Sequence, residues 1–321
     1  MSLIGRSVQQ ALAWPGTLSS EVEAKAKLCL ADAVRCMFEA RDLPTSRQAL
    51  GVLTRLDQGV PVAASDVHAP PAEAAFAMAT MSAGLLREDM HAASISHHGI
   101  VVWPTLLALA HGADVSGARL LAAGVVGYEF GARLGAALFD VDLARRLRPT
   151  AFCATAGAAM GGAWLRGLSA REATTAVALA VDSSSGLNQW PHSGGDEIFF
   201  QAGRAARNAV QGIALARAGA FASPEMLDGP PPGLFAAAGK TAPPTSACSR
   251  PTRRSSRSTT RALPICNFAQ TAAQAALDVA NRPGFSPDRV EAVNIAVTEA
   301  SSWPIPAATT PGRASGRCRP R

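Results

Sequence analysis

Charge and aromatic side chains are both scarce in this 321-residue chain: 17% of its residues are Asp, Glu, Lys or Arg and 5% are aromatic, with a single tyrosine. A wholly disordered chain is nevertheless excluded, because 48% of the residues are hydrophobic, ample for a sizeable core. No uncharged apolar run reaches the roughly 20 residues that span a bilayer; residues 99–110 form one of the longest. The opening MSLIGRSVQQ lacks the charged-then-apolar order of a secretory signal. A soluble cytoplasmic protein without membrane contact is expected. Cys29, Cys36, Cys153, Cys248, Cys266 and Cys318 form no CxxC pair and no framework spacing, so reduced thiols are expected. Cys29 and Cys36, seven apart on a predicted helix, read as small buried hydrophobes.

The net charge of +6 is unevenly placed. Residues 1–240 carry 19 basic and 20 acidic side chains, whereas residues 241–321 carry 11 arginines against 4 acids. The basic excess therefore belongs to the tail, in Ser/Thr/Pro-rich text such as SACSRPTRRSSRSTTR and TTPGRASGRCRPR. A nucleic-acid face sets Lys and Arg among aromatics on a folded surface, which this is not, so no nucleic-acid partner is expected. The two passages read as linkers, or as GC-rich coding sequence out of frame.

The first 240 residues read as helix after helix, with no strand. Ser20 and Glu23 have capping-box spacing before a stripe of Val22, Ala26, Cys29, Ala33 and Met37. Pro70 and Pro71 introduce an Ala/Met-rich helix, Ser116 caps another, Ser169 with Glu172 forms a second box, and a helix is expected over 202–220. Gly127, Gly131 and Gly135 recur every fourth residue, and residues 151–163 are almost all small. Each interior helical glycine costs about 1 kcal/mol relative to alanine, tolerable where bare backbone lets helices approach, so tight packing is expected. Glu129 and Arg133 read as a solvated i,i+4 pair. Residues 241–260 and 302–321 offer almost nothing to bury and are expected to have no packed role. Between them a helical pattern resumes, and Val293, Ile295 and Val297 alternate as in a strand. The expected fold is mainly α: a large all-helical domain over 1–240, an irregular segment over 241–260, and the beginning of a smaller α/β lid domain over 261–321.

Chemistry gathers in GLLREDMHAASISHHGIVVWP, where Glu88, Asp89, His91, His97 and His98 lie within eleven residues. Imidazoles and carboxylates are the groups that move protons near neutral pH. The His97-His98-Gly99 step would aim two imidazoles in different directions. A polar surface loop with incidental histidines is the plainer reading. A metal site using His91, His97 and Asp89 is a rival, unsupported by any His-x-x-x-His pair or cysteine partner. A second region is RRLRPTAFCATAGAAM, where Arg148 precedes a helix start at Pro149 and Thr150. A helix N-terminus with a hydroxyl and a guanidinium suits a carboxylate. A third, VDSSSGLNQWPHSGGDEIFF, carries Asn188, Gln189 and His192 but no P-loop spacing.

In this order the pieces resemble the MmgE/PrpD family, which includes 2-methylcitrate dehydratase, cis-aconitate decarboxylase and iminodisuccinate epimerase. REDMHAASISHHGIVVWPTLLALAHG is similar to the family's Asp-rich loop ending in a His-Pro-Gly-type step. GYEFGARLGAAL, RPTAFCATAGAAMGGAWLRGLS, GRAARNAVQGIALARAGAFASPEMLDG and LPICNFAQTAAQAA resemble further family segments. The likeness covers about residues 5–239 and resumes over 261–299. It implies a cofactor-independent homodimeric enzyme acting on di- or tricarboxylates, removing a proton next to a carboxylate before water or carbon dioxide leaves or the carbon is reprotonated. By position, Asp89 falls on the second loop acid, His97 on the loop histidine, and His98 where proline is usual. Arg148 stands at the family's second active-site histidine, Thr150 keeps its threonine, and Arg261 falls at a lysine that opens the lid.

The chain departs from the pattern at Arg87, in place of the first loop acid, and at Ile198, where lysine is frequent. The resemblance thus implies a dehydratase-like lyase, or an epimerase of the same family, divergent in substrate or reaction. Asp89 and His97 would be catalytic; His98, Arg148, Thr150 and Arg261 would bind a small carboxylate substrate; no metal or cofactor is implied. The alternatives are an inactive truncated helical dimerisation scaffold and a metal-dependent hydrolase. The excess of Ala, Gly and Leu over charge between 99 and 220 also points to a homodimer, since obligate dimers use core-like interfaces.

Overall fold

A computed structural model describes residues 1–243, 258–260, 270–294, 296–297 and 319–320; Arg261, Cys248, Cys266, Cys318 and most of both Arg-rich passages lie outside them. The fold is mainly α. Twelve helices precede residue 240: α1 Leu3–Ala13, α2 Ser20–Ala40, α3 Pro44–Gly51, α4 Pro71–Ala83, α5 Gly99–Ala110, α6 Gly117–Leu138, α7 Val141–Arg146, α8 Pro149–Leu165, α9 Ala170–Asp182, α10 Trp190–Ser193, α11 Glu197–Arg217 and α12 Leu234–Ala237. None of the described helices is long and apolar enough to cross a membrane.

Local signals set most helix starts. Ser116 Oγ accepts the Arg119 N–H, and Ser169 with Glu172 makes the full reciprocal box. At α2 the boundary falls one residue earlier than expected: Ser19, not Ser20, caps the helix by accepting the Val22 N–H. Two adjacent serines compete there, and Glu21 and Glu23 lie in the first turn, where the helix dipole favours them. Helix α11 spans 197–217 rather than 202–220.

Helix α8 occupies the centre, packed on α5, α6, α9 and α11. All of its residues except Phe152 are buried, as expected of a helix enclosed on every side. Its glycines make this possible. A Cβ on Gly157 would sit 2.4 Å from the Gly127 carbonyl oxygen of α6, and one on Gly161 would sit 2.6 Å from that of Ala123. The α6 ridge serves the loop before α5 as well: a Cβ on Gly131 would meet the His98 ring at 2.8 Å, and one on Gly135 would meet Ser94 at 2.5 Å. Enclosure also changes Glu129 and Arg133. Their 2.9 Å ion pair is not solvated, the side chains being 4% and 15% exposed, because α6 is covered where the i,i+4 spacing alone leaves it open.

Short strands correct the strand-free expectation. β1 Val60–Pro61 pairs antiparallel with β2 His68–Ala69, and β3 Met90–His91 pairs antiparallel with β4 Ser258–Thr259. Ser258 is buried and Thr259 Oγ1 donates to the Met90 carbonyl, so this part of 241–260 does have a packed role. Two-residue ladders carry no periodicity, and the partner of β3 lies far along the chain. Toward the C-terminus, α13 Gln270–Ala280 has no buried residue. Of the alternating run at 293–297, Ile295 lies outside the described residues; among those described, strand is found at β5 Ala296–Val297, parallel to β6 Arg319–Pro320.

Candidate active site

The loop between α4 and α5 is held in one shape by its own turn and by three neighbours. Residues Ala92–Ser94 form a single 3-10 turn, closed by a bridge between His91 and Ser96. Leu86 and Ile95 take positive φ of 52° and 50°, a conformation that is unfavourable for non-glycine residues and for β-branched ones above all. Outside contacts hold that strain in place. Arg87 pairs with Glu39 of α2 at 2.7 Å, the Asp89 N–H donates to Asp32 of α2 at 2.9 Å, and the His97 N–H donates to Thr150 Oγ1 of α8 at 3.1 Å.

Asp89 is fully enclosed. Its Oδ1 accepts the Gly99 N–H at 3.2 Å, standing in as a cap for α5, whose N-cap His98 supplies no side-chain bond. Only glycine fits at 99, since a Cβ would lie 2.1 Å from that oxygen and 2.6 Å from the Tyr128 hydroxyl. The Trp103 indole N–H donates to Tyr128 at 3.1 Å, and the Tyr128 and Ser258 hydroxyls lie near the Asp89 carboxyl, where they favour its charged form. Burial, and then the charge of Asp32, nevertheless raises the Asp89 carboxyl to about 7.

His97 and His98 do point apart. His97 Nδ1 lies 3.0 Å from the Asp89 carbonyl oxygen and 3.5 Å from Glu88 Oε1, and its side chain is 16% exposed. A carbonyl only accepts, so Nδ1 carries the proton in the neutral ring and Nε2 is the basic nitrogen. The His98 ring is fully buried against Gly131 and Tyr128. Ser94 Oγ donates to the His91 carbonyl and lies 3.1 Å from His98 Nε2 and 2.9 Å from His91 Nδ1. Burial, with a smaller contribution from His91, holds His98 down at about 3. It is a neutral interior side chain, not a lining one.

Arg148 is the N-cap residue of α8, 6% exposed, and its N–H donates to the Gly186 carbonyl at 2.9 Å. The third region is thereby drawn to the same place: Leu147 bridges Leu187, and Gln201 of α11 donates to the Leu187 carbonyl. His192 of that region is exposed. Thus Asp89, His97 and Thr150 come together, with Arg148 at the adjoining helix start, while His98 is turned inward and Arg261 lies outside the described residues.

Glu88 and Asp32 were not assigned from sequence. Glu88, 1% exposed, supplies the carboxylate nearest His97, while Asp89 offers His97 its backbone carbonyl. Asp32 carried a legible signal, an acid at i+3 from Cys29 and i−4 from Cys36, both buried. His91, His97 and Asp89 do not converge, each being turned to a separate hydrogen-bond partner; among the described residues no group of His, Cys, Asp and Glu is placed to hold a metal ion. Cys29, Cys36 and Cys153 are buried free thiols pushed upward by burial, Cys36 to about 12, in keeping with the reading of Cys29 and Cys36 as small hydrophobes.

Fold and site define a helical domain in which the His97 backbone meets the N-terminus of the central helix and the His97 imidazole is backed by a carboxylate. The chain belongs to the MmgE/PrpD family, residues 15–247 matching the MmgE/PrpD N-terminal domain. It is also similar to a cis-aconitate decarboxylase-like protein, oryM, from Aspergillus oryzae (strain ATCC 42149 / RIB 40), with 29% identity over 224 residues. Those residues are 67% of this chain and 46% of the relative, so the chain spans about half the length of the curated relative it matches.

Proposed function

We propose that this domain belongs to a cofactor-independent lyase that removes a proton next to a carboxylate of a small di- or tricarboxylate. The contact that carries the reading is the bond from the His97 backbone N–H to Thr150 Oγ1, which ties the residue bearing the base to the first turn of α8, where Arg148 is the N-cap. His97 Nε2 takes the proton, while the Asp89 carbonyl and Glu88 hold the ring and stabilise the imidazolium. An α-proton becomes removable only when the enediolate charge that develops is neutralised. Arg148, Thr150, the helix terminus and Arg261 are the groups assigned to that task, and His98 braces the loop from behind. The relative described as cis-aconitate decarboxylase-like supports lyase chemistry of this class. A cytoplasmic homodimer is part of the same proposal; light scattering at micromolar concentration tests the dimer, and a monodisperse monomer would refute it.

The chemical test is deuterium incorporation into citrate, cis-aconitate and 2-methylcitrate in deuterated water. His97→Ala should abolish label next to a carboxylate and leave binding largely intact. Arg148→Ala should weaken binding by about 1–3 kcal/mol, one charge-assisted bond. Equal effects of the two substitutions on binding, with exchange retained in His97→Ala, would overturn the assignment.

A further inference from the structure

Asp32 lies in the middle of α2, 5% exposed, and its carboxylate accepts bonds of different kinds. One carboxylate oxygen accepts Arg35 Nη2 at 2.6 Å, and the Arg35 side chain is 38% exposed. The other accepts the Asp89 backbone N–H at 2.9 Å, across 57 residues of sequence. Its placement is unfavourable to its neighbours: after burial, its charge is the largest influence raising Asp89. A buried ion pair is weak support for stability as such, since apolar replacements are often neutral or better. The Asp89 backbone is held from both sides. Its N–H side is fixed by Asp32, its carbonyl side meets His97 Nδ1, and Glu88 on the preceding residue faces the same nitrogen.

We propose that Asp32 is a positioning residue: by holding the Asp89 N–H it fixes the stretch of backbone that presents the Asp89 carbonyl and the Glu88 carboxylate to His97. The inference rests on His97 being the base, but its anchoring part is measurable without substrate. A loosened backbone would misalign the base while Arg148 and Thr150 keep their places at the start of α8. Misplacement on the scale of 1 Å reduces rates on the order of 10²-fold.

The test compares Asp32→Ala, Asp32→Asn and Arg35→Gln in the full chain, using deuterium incorporation into citrate and amide exchange at residue 89. Asp32→Ala should lower the limiting incorporation rate on the order of 10²-fold with KM little changed, and should speed Asp89 amide exchange at least about tenfold by removing its acceptor. Asn keeps an acceptor oxygen for that N–H, so Asp32→Asn should stay within about tenfold of wild type in both readouts and keeps the test alive if the alanine variant fails to fold. Arg35→Gln, which leaves the Asp89 bond in place, should match wild type. An unchanged Asp89 amide in Asp32→Ala, or an equal loss of rate in Arg35→Gln, would overturn the proposal. If wild type labels none of the three acids, the lyase reading falls, and the amide readout still decides whether Asp32 anchors the loop.

Discussion

Removing the titration of Asp89 and of His98 in turn should tilt the pH dependence of stability in opposite directions. The Asp89 carboxyl is raised from 3.8 to about 7, first by burial and then by Asp32. The folded state thus keeps a proton that the unfolded chain releases across that interval. Its contribution to stability is full below 3.8 and is lost as pH rises to about 7. At about 1.36 kcal/mol per pH unit the whole effect is about 4 kcal/mol. His98 runs the other way: burial lowers it from 6.5 to about 3, so its stability is full above 6.5 and is lost as pH falls to about 3. That effect is about 5 kcal/mol. In wild type the two slopes nearly cancel between about pH 4 and 6.5. Urea unfolding followed by tryptophan fluorescence, from about pH 4.5 to about pH 7, should expose each one. Asp89→Asn, which can still accept the Gly99 N–H, should gain on wild type by about 3 kcal/mol across the range. His98→Gln, whose amide can reach Ser94, should lose on wild type by a similar amount. Working in differences from wild type removes the titrating groups that do not interact with the substituted residue. A constant offset at all pH values for either variant would refute the burial argument for that residue.

Two further outcomes test the packing and the helix starts. Gly157→Ala drives a methyl group against the Gly127 carbonyl, backbone on backbone, and should cost about 3 kcal/mol or more, whereas Gly117→Ala meets open space and should be neutral or stabilising by up to about 1 kcal/mol; thermal unfolding of both variants decides. Ser19→Ala should cost about 1 kcal/mol through loss of the α2 cap, while Ser20→Ala stays within about 0.5 kcal/mol. The reverse order would restore the Ser20 boundary.

Read by itself, the sequence determined what is decided within a turn or two of chain. The Ser169–Glu172 box, the Ser116 cap, the proline start of α8 and the buried stripe through Ala26, Cys29, Ala33 and Met37 are local patterns, and each was legible. So was the family likeness, and with it the loop and helix start that hold the candidate site. Other features required the tertiary structure because they depend on what lies opposite. The 57-residue reach from Asp32 to Asp89 and the 53-residue reach from Thr150 to His97 have no periodicity to announce them. Glu129 and Arg133 have the spacing of a surface pair and are buried because α6 is enclosed. Adjacent residues likewise parted company: Glu88 turned its carboxylate to His97, Asp89 its carbonyl, and His98 its ring into the core. Hydrogen bonds between near neighbours are written in residue type and spacing, whereas burial and the charge that burial shifts are set by which helices close over a side chain, and here glycine-lined α6 and α8 closed over the loop.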